Sequence, residues 1–318
     1  MTLMDLRVKK KSDRKVSNCD APQARFSFLP EPLILKEKPP LIPDAAGVEF
    51  LQWCLPKMHL RWPGFRKVRR QVLKRVGRRL QELGLSSVEA YRSYLDSRPE
   101  EWATLDNLCW ICISRFYRDR GVYQHFENEI APHLAQMVIA AGEKELRCWS
   151  AGCAAGEEPY TLAIIWKQRL AEKYPTLEFR VVATDIDRQA IQRGARGCYP
   201  ASSVKELPAE WRDRAFAAKT AELCLKDDYR ELVTFIVQDI RERAPEGLFH
   251  LILCRNLVFT YFDETLQRET LRRLTARLVH GGALIIGKTE SLPGGVWGIE
   301  PWSPRIGVHK KVLEKPNE

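Results

Sequence analysis

The 318-residue sequence predicts an α/β protein, a doubly wound parallel sheet preceded by a small all-α domain. Three observations predict it. From residue 147 onward short apolar runs alternate with amphipathic stretches, as strands alternate with helices in a parallel sheet. The first run ends in a small-residue turn that opens into a helix pattern, Cys148-Trp149-Ser150-Ala151-Gly152-Cys153-Ala154-Ala155-Gly156-Glu157-Glu158-Pro159-Tyr160. Ahead of it, apolar residues recur at helical spacing with no strand alternation.

Residues 1–43 are basic and then proline-rich, with Pro30, Pro32, Pro39, Pro40 and Pro43, and read as a flexible or peripherally docked tail. A helical domain over 44–135 follows. Residues 48–55 form a short helix. Phe65, Val68, Val72, Leu73, Val76, Leu80 and Leu83 then mark one face of a longer helix, stopped by Gly84. Arg66, Lys67, Arg69, Arg70, Lys74, Arg75, Arg78 and Arg79 occupy mostly its other faces. A solvated face is the plain reading. Eight bases without an interleaved acid favour a docking surface for an acidic partner.

Ser86-Ser87-Val88-Glu89 reads as a capping box for a helix over 88–95. Residues 102–112 are helical by pattern, Ile113-Ser114-Arg115-Phe116-Tyr117-Arg118-Asp119 breaks it, and 122–130 resumes it. The α/β domain spans 136–318. Its strands are expected at 146–150, 178–184, 234–237, 249–254, 283–287 and 308–312, with helices at 189–194 and 264–278, the latter closed by Gly281-Gly282. Residues 195–230 are irregular, a lid or an inserted hairpin.

Composition excludes several classes. Hydrophobic content of 45% and charged content of 29% are globular values. The longest apolar candidate, 248–262, is interrupted by His250 and Arg255 and falls short of the ~20 residues a bilayer span needs. Lys9-Lys10-Lys11 has no apolar stretch after it, so no secretory signal is read. Nine cysteines in no regular framework point to reduced thiols and a cytoplasmic setting. The one CxxC, Cys109-Trp110-Ile111-Cys112, lacks a second ligand pair and reads as a buried helix face, so no metal is expected. The net charge of +10 is concentrated between Lys57 and Arg79, where ten Lys or Arg meet no acid.

The glycine turn narrows the ligand. Gly152 and Gly156 let backbone approach a ligand without a Cβ in the way. The turn has no Gly-Lys-Ser/Thr ending and no Gly-x-Gly-x-x-Gly spacing. Glu157 and Glu158 stand where a dinucleotide fold would seat pyrophosphate. They favour a ligand with hydroxyls and a cation, and S-adenosylmethionine has both. On the glycine pair alone an ordinary βα turn stays open. The second strand, however, ends at Asp185-Ile186-Asp187: Asp187 serves the next helix as N-cap, leaving Asp185 for ribose hydroxyls. Asp239 and Asn256 close the third and fourth strands. With the Gly152/Gly156 turn, these residues make four positions at the carboxyl ends of adjacent strands, where open α/β sheets bind ligands.

These motifs resemble the chemotaxis-receptor glutamate methyltransferases, the CheR type, from about Gly47 to the C-terminus. The resemblance rests on the 149–160 turn, Ala183-Thr184-Asp185-Ile186-Asp187, Cys254-Arg255-Asn256-Leu257 with Tyr261-Phe262-Asp263, and Gly287-Lys288-Thr289-Glu290-Ser291-Leu292. It implies a Rossmann-like methyltransferase sheet, S-adenosylmethionine as methyl donor, and a protein glutamate as acceptor. It also implies that the basic helices contact acidic, methyl-accepting helices. By resemblance, Ser114, Arg118, Gly152, Glu157 or Glu158, Asp185, Asp239-Ile240 and Asn256-Leu257 match cofactor-binding positions. Tyr261 matches a tyrosine near the reaction centre. The chain departs from the family at Cys112, which stands in place of an Asn, at Ser114 in place of a Thr, and at Asp239 in place of an Asn. One extra residue follows Asn256.

A glutamate carboxylate is already ionised at neutral pH, so methylation needs alignment and desolvation more than a base. Arg118 is expected to orient charge, with pairing to Asp119 as its structural alternative. Tyr261 is expected to hydrogen-bond the substrate oxygen, with simple aromatic packing as its alternative. Rival readings are a methyltransferase acting on a small molecule or RNA, and a non-catalytic S-adenosylmethionine sensor or scaffold. Nucleic acid is the less favoured partner, because Trp62 and Phe65 alone make a poor stacking platform. A monomer is expected.

Overall fold

The computed structural model describes residues 42–219 and 221–313. The proline-rich tail therefore lies, apart from its last two residues, outside the described part. The first helices are α1 (Asp44–Cys54), α2 (Trp62–Phe65), α3 (Arg69–Leu83), α4 (Val88–Ser97) and α5 (Glu101–Cys109). Next come α6 (Arg120–His125), running through a π turn at Phe126–Ile130, and α7 (Ala131–Ala140). The first strand and helix of the α/β part are β1 (Glu145–Ala151) and α8 (Glu157–Ile165), followed by β2 (Glu178–Asp185) and α9 (Arg188–Arg196). Three short strands, β3 (Cys198–Tyr199), β4 (Phe216–Lys219) and β5 (Glu222–Leu225), surround α10 (Ala209–Ala215). The chain then runs through α11 (Asp227–Arg230), β6 (Val233–Val237), β7 (Phe249–Cys254), α12 (Val258–Tyr261) and α13 (Glu264–Ala276). It finishes with β8 (Leu278–Ile286), β9 (Ile299–Ser303) and β10 (Val308–Lys311).

The large sheet has the order β6-β2-β1-β7-β8-β10-β9. Its first five strands are parallel, and β10 runs antiparallel between β8 and β9. The order reverses between β1 and β7, which is where a doubly wound sheet opens a crevice at its carboxyl edge. Alternation along the strands divides the core. Leu146 and Cys148, Leu251 and Leu253, and Ala283 and Ile285 face one layer with α7 and α8. Trp149, Ile252, Leu284 and Ile286 face the other layer with α13 and the N-terminal helices, including Leu51, Val72 and Leu80. The helical region thus shares its core with the sheet.

Several local expectations change. The basic helix is broken at 66–68, so α2 is a separate turn. The helix expected to reach residue 112 ends at Cys109, and residues 110–115 cross without regular structure. Cys112 therefore lines an open cleft, and only Cys109 lies on a buried helix face. Gly281-Gly282 does not close a helix but lies inside β8, where the pairing with β7 shifts register. A Cβ on Gly282 would lie 2.9 Å from the His250 carbonyl, so only glycine permits this bulge. β9 was not expected, since Pro301 lies within it; as an edge strand it tolerates proline.

The insertion is a three-stranded antiparallel sheet, β3-β5-β4. Its cysteines correct the expectation of reduced thiols. Cys198 and Cys224 stand directly opposite in the β3–β5 register, with Cα atoms 4.0 Å apart, and form a disulfide. Their sequence separation of 26 conceals that opposition. Among the described residues no helix is long and apolar enough to cross a membrane, and no His/Cys/Asp/Glu group is arranged to hold a metal ion.

Candidate active site

The carboxyl ends of β1, β2, β6 and β7 form the floor of a cleft of about 1280 Å³ up to its open mouth. The far wall is built by Leu60, Phe65, Val68 and the 109–115 crossing.

The glycine turn leaves β1 with Gly152 at φ +77°. A Cβ there would lie 2.4 Å from Leu257 Cδ2 and push that side chain aside, and the positive φ itself favours glycine. Gly152 and Cys153 donate to the Thr184 carbonyl (2.8 and 3.0 Å), tying the turn to the end of β2. Asp185 is 8% exposed and accepts from the Ala154 and Asp187 amides at 2.8 and 2.9 Å. Burial pushes its carboxyl above the ordinary value, opposed by those amides. Asp187 caps α9 by accepting from Gln189 and Ala190, the N-cap role expected of it.

The paired glutamates part ways. Glu158 lines the cleft, but Ser150 Oγ donates to its Oε1 (2.8 Å) and Arg255 Nη1 to its Oε2 (3.1 Å). Glu157 does not line the cleft; it is buried, its Oε2 has no partner among the described residues, and burial raises its carboxyl. Ser114, which does line the cleft, is among the groups that hold that rise down.

Arg255 is the centre of a buried network. Besides Glu158 it donates to Asp119 Oδ2 (2.6 Å), the Tyr123 hydroxyl (3.2 Å) and the Arg118 carbonyl (3.3 Å). It thereby holds a turn in which Tyr117 and Asp119 both adopt left-handed φ (59° and 64°), a conformation that costs non-glycine residues energy. Because Asp119 pairs with Arg255, Arg118 is left to reach into the cleft, where among the described residues it donates to the Ile113 carbonyl (3.0 Å). Tyr261 also lines the cleft, its ring 5.0 Å from that of Phe65. Burial raises its phenol, and the nearby Arg118 charge opposes the rise.

Asn256 and Leu257 line the cleft as the motif suggested. Asn256 sits at φ 55°, and the turn is held by Glu290. That carboxylate accepts from the Asn256 amide (2.8 Å), the Gly287 amide (2.6 Å) and Thr260 Oγ1 (2.5 Å). Ile240 lines the cleft and Asp239 does not. Asp239 is instead locked to Arg241, whose guanidinium also grips Asp106 (3.1 and 2.8 Å) and lies 4.7 Å from the Trp110 ring centre.

Of the residues expected from sequence, the structure therefore gathers Ser114, Arg118, Gly152, Glu158, Asp185, Ile240, Asn256, Leu257 and Tyr261 around one cleft and leaves Glu157 and Asp239 outside its lining. The supporting roles of Arg255 and Glu290 were missed. A signal existed for Arg255: an arginine directly after six buried strand residues must find buried partners.

The model of the CheR methyltransferase SAM-binding domain matches residues 113–299, more than half of the chain. Chemotaxis protein methyltransferase 2 of Vibrio cholerae is 28% identical over 255 residues, covering 76% of this chain and 86% of that one. Chemotaxis protein methyltransferase 2 of Pseudomonas aeruginosa is 32% identical over 228 residues, covering 69% and 78%. A 104.1 kDa protein of Rhodobacter capsulatus is 29% identical over 224 residues; the match covers 70% of this chain but 23% of that protein's length.

Proposed function

Since the chain belongs to the CheR methyltransferase family, we propose that it methylates glutamate carboxylates of an acidic, helical protein, using S-adenosylmethionine. The observation that carries the choice of acceptor is the charge layout of α3. Arg69 is engaged by Asp44, Arg79 by Glu101 and Glu82, and Arg75 by the Leu108 and Trp110 carbonyls. Arg66, Lys67, Arg70, Lys74 and Arg78 are exposed and make no ion pair among the described residues. Arg70, Lys74 and Arg78 follow one another at i, i+4 along one face of α3, and Arg66 and Lys67 precede it. Lys74 and Arg78 share a groove with Cys112 and Ile113 at the rim of the cleft. An acidic helix seated there presents a carboxylate to the cleft.

S-adenosylmethionine supplies an electrophilic methyl group on a sulfonium. The residues present fit it: Asp185 for ribose hydroxyls, apolar Ile186 and Ile240 for a flat base, and the Glu158 side for the cationic end. Arg118 orients a carboxylate in the cleft, and the Tyr261 hydroxyl donates to an acceptor oxygen. No histidine lines the cleft among the described residues, which suits a nucleophile that needs no deprotonation. Closure by the docked partner excludes water and strips the carboxylate of its hydration.

The test is calorimetric titration with S-adenosylhomocysteine, followed by radiolabelled methyl transfer to an acidic helical peptide. Base-labile label on the peptide supports a carboxyl ester. Label on RNA or a small molecule instead would replace the acceptor class, and absence of product binding would sink the reading.

A further inference from the structure

We infer that Gln238, not Asp239, reads the amino edge of the adenine ring. The assignment rests on the proposed use of S-adenosylmethionine and adds a specificity residue to it. Asp239 is the residue the family motif points to, but its carboxylate is consumed. Oδ1 accepts from the Arg241 amide (2.8 Å), and the Arg241 guanidinium reaches both oxygens at 2.8–3.1 Å. The same guanidinium is held by Asp106 on its other edge. Turning Asp239 toward a ligand would break a bidentate pair and leave Asp106 alone to hold the arginine.

Gln238 is free to serve. It lines the cleft at the carboxyl end of β6, where its amide donates to the Asp185 carbonyl at 2.9 Å. That bond registers it beside the acid placed for ribose. Its side-chain Oε1 is buried and has no partner among the described residues. A buried acceptor left unpaired is costly, and a turn of the Gln238 side chain toward the cleft would let a ligand donor complete it. Trp110, Ile186 and Ile240 line the same cleft and give a purine apolar surface to lie against. The ligand class is a 6-aminopurine nucleoside: Oε1 accepts from the exocyclic amino group, and the amide nitrogen donates to a ring nitrogen. The Asp239–Arg241–Asp106 clamp, with Trp110 donating to Asp106 (3.2 Å), fixes the wall.

The test compares S-adenosylhomocysteine with its analogue lacking the 6-amino group, by calorimetry on the full chain and on Gln238→Leu, Gln238→Met and Asp239→Asn. The unmodified chain should prefer the amino compound about tenfold, the value of one ordinary hydrogen bond. In both Gln238 variants that preference should fall below about twofold, while Asp239→Asn should keep it. Persistence of the preference in a folded Gln238 variant, or its loss in Asp239→Asn alone, would overturn the assignment. If the unmodified chain bound neither compound, the cofactor reading itself would fall and the assignment with it; that outcome is separate because it precedes any variant.

Discussion

Replacing Arg255 by Met tests whether the network under the cleft holds the 117–119 turn. The guanidinium is 3% exposed and has four partners, two of them carboxylates at 2.6 and 3.1 Å. Methionine fills much of the volume, so the loss is electrostatic and not a cavity. Removing one member of a buried ion pair typically costs about 3–5 kcal/mol, because the remaining charge is left without compensation. Glu158, 11% exposed, bears that cost fully, whereas Asp119, 35% exposed, recovers some hydration. The expected loss is therefore about 3–4 kcal/mol, or roughly 6–10 °C in Tm for a chain of this size. The left-handed turn at 117–119 loses its anchor at the same time, so Arg118 should leave its position and S-adenosylhomocysteine affinity should fall at least ~10-fold. Arg255→Lys should recover little, since an ammonium cannot bridge both acids in the same plane. Denaturant titration and calorimetry measure the two effects. A loss below ~1 kcal/mol with product affinity unchanged would refute the idea that this network supports the site.

Three further outcomes are expected. Gly152→Ala forces a Cβ against Leu257 at a positive φ and should weaken S-adenosylhomocysteine binding ~10-fold or more by displacing Leu257; unchanged affinity would mean that Leu257 does not touch the ligand. Lys74→Glu with Arg78→Glu should raise KM for an acidic acceptor severalfold and flatten its salt dependence, leaving product binding intact; an unaltered KM would move the docking surface elsewhere. Burial holds the His250 imidazole below its ordinary 6.5, although Glu143 pulls the other way. The unfolded chain then takes up the proton first, so this contribution to stability is fully present above pH ~6.5 and is lost as pH falls below it. Urea titrations from pH 7.5 to 5 should show that acid limb, and His250→Phe should flatten it.

The strands that carry the site were legible because each is a short apolar run ending in a polar residue: 249–254 matched β7 at both ends. What the sequence hid were features set by partners far along the chain. Neither Cys198 nor Cys224 carries a local sign of its mate, which only the β3–β5 pairing supplies. Cys112 looked helical because periodicity continues past Cys109, yet the chain leaves the helix there. Asp239 was the residue the motif offered, and the clamp of its neighbour Arg241 to Asp106, 135 residues away, holds it outside the cleft lining. Gly281-Gly282 had the composition of a helix stop but serves a strand bulge, a choice made by the His250 carbonyl facing it.

Residues 59–64 are sewn onto the end of α12. Arg61 donates its amide to the Tyr261 carbonyl (2.8 Å) and its side chain to the Thr260 and Phe259 carbonyls. The Asp263 amide donates to the His59 carbonyl (2.8 Å), and Gly64 sits so close to Thr260 that a Cβ would lie 2.3 Å from its carbonyl oxygen. The tyrosine and the start of the basic stripe therefore share one rigid mount. Under the proposed docking, a partner helix held by the stripe would sit at a fixed offset from Tyr261, and with ~1.5 Å of rise per residue a shift of one turn would move a side chain ~5.4 Å. The mount would then act as a ruler, selecting a carboxylate along an acidic helix by its distance from the held charges.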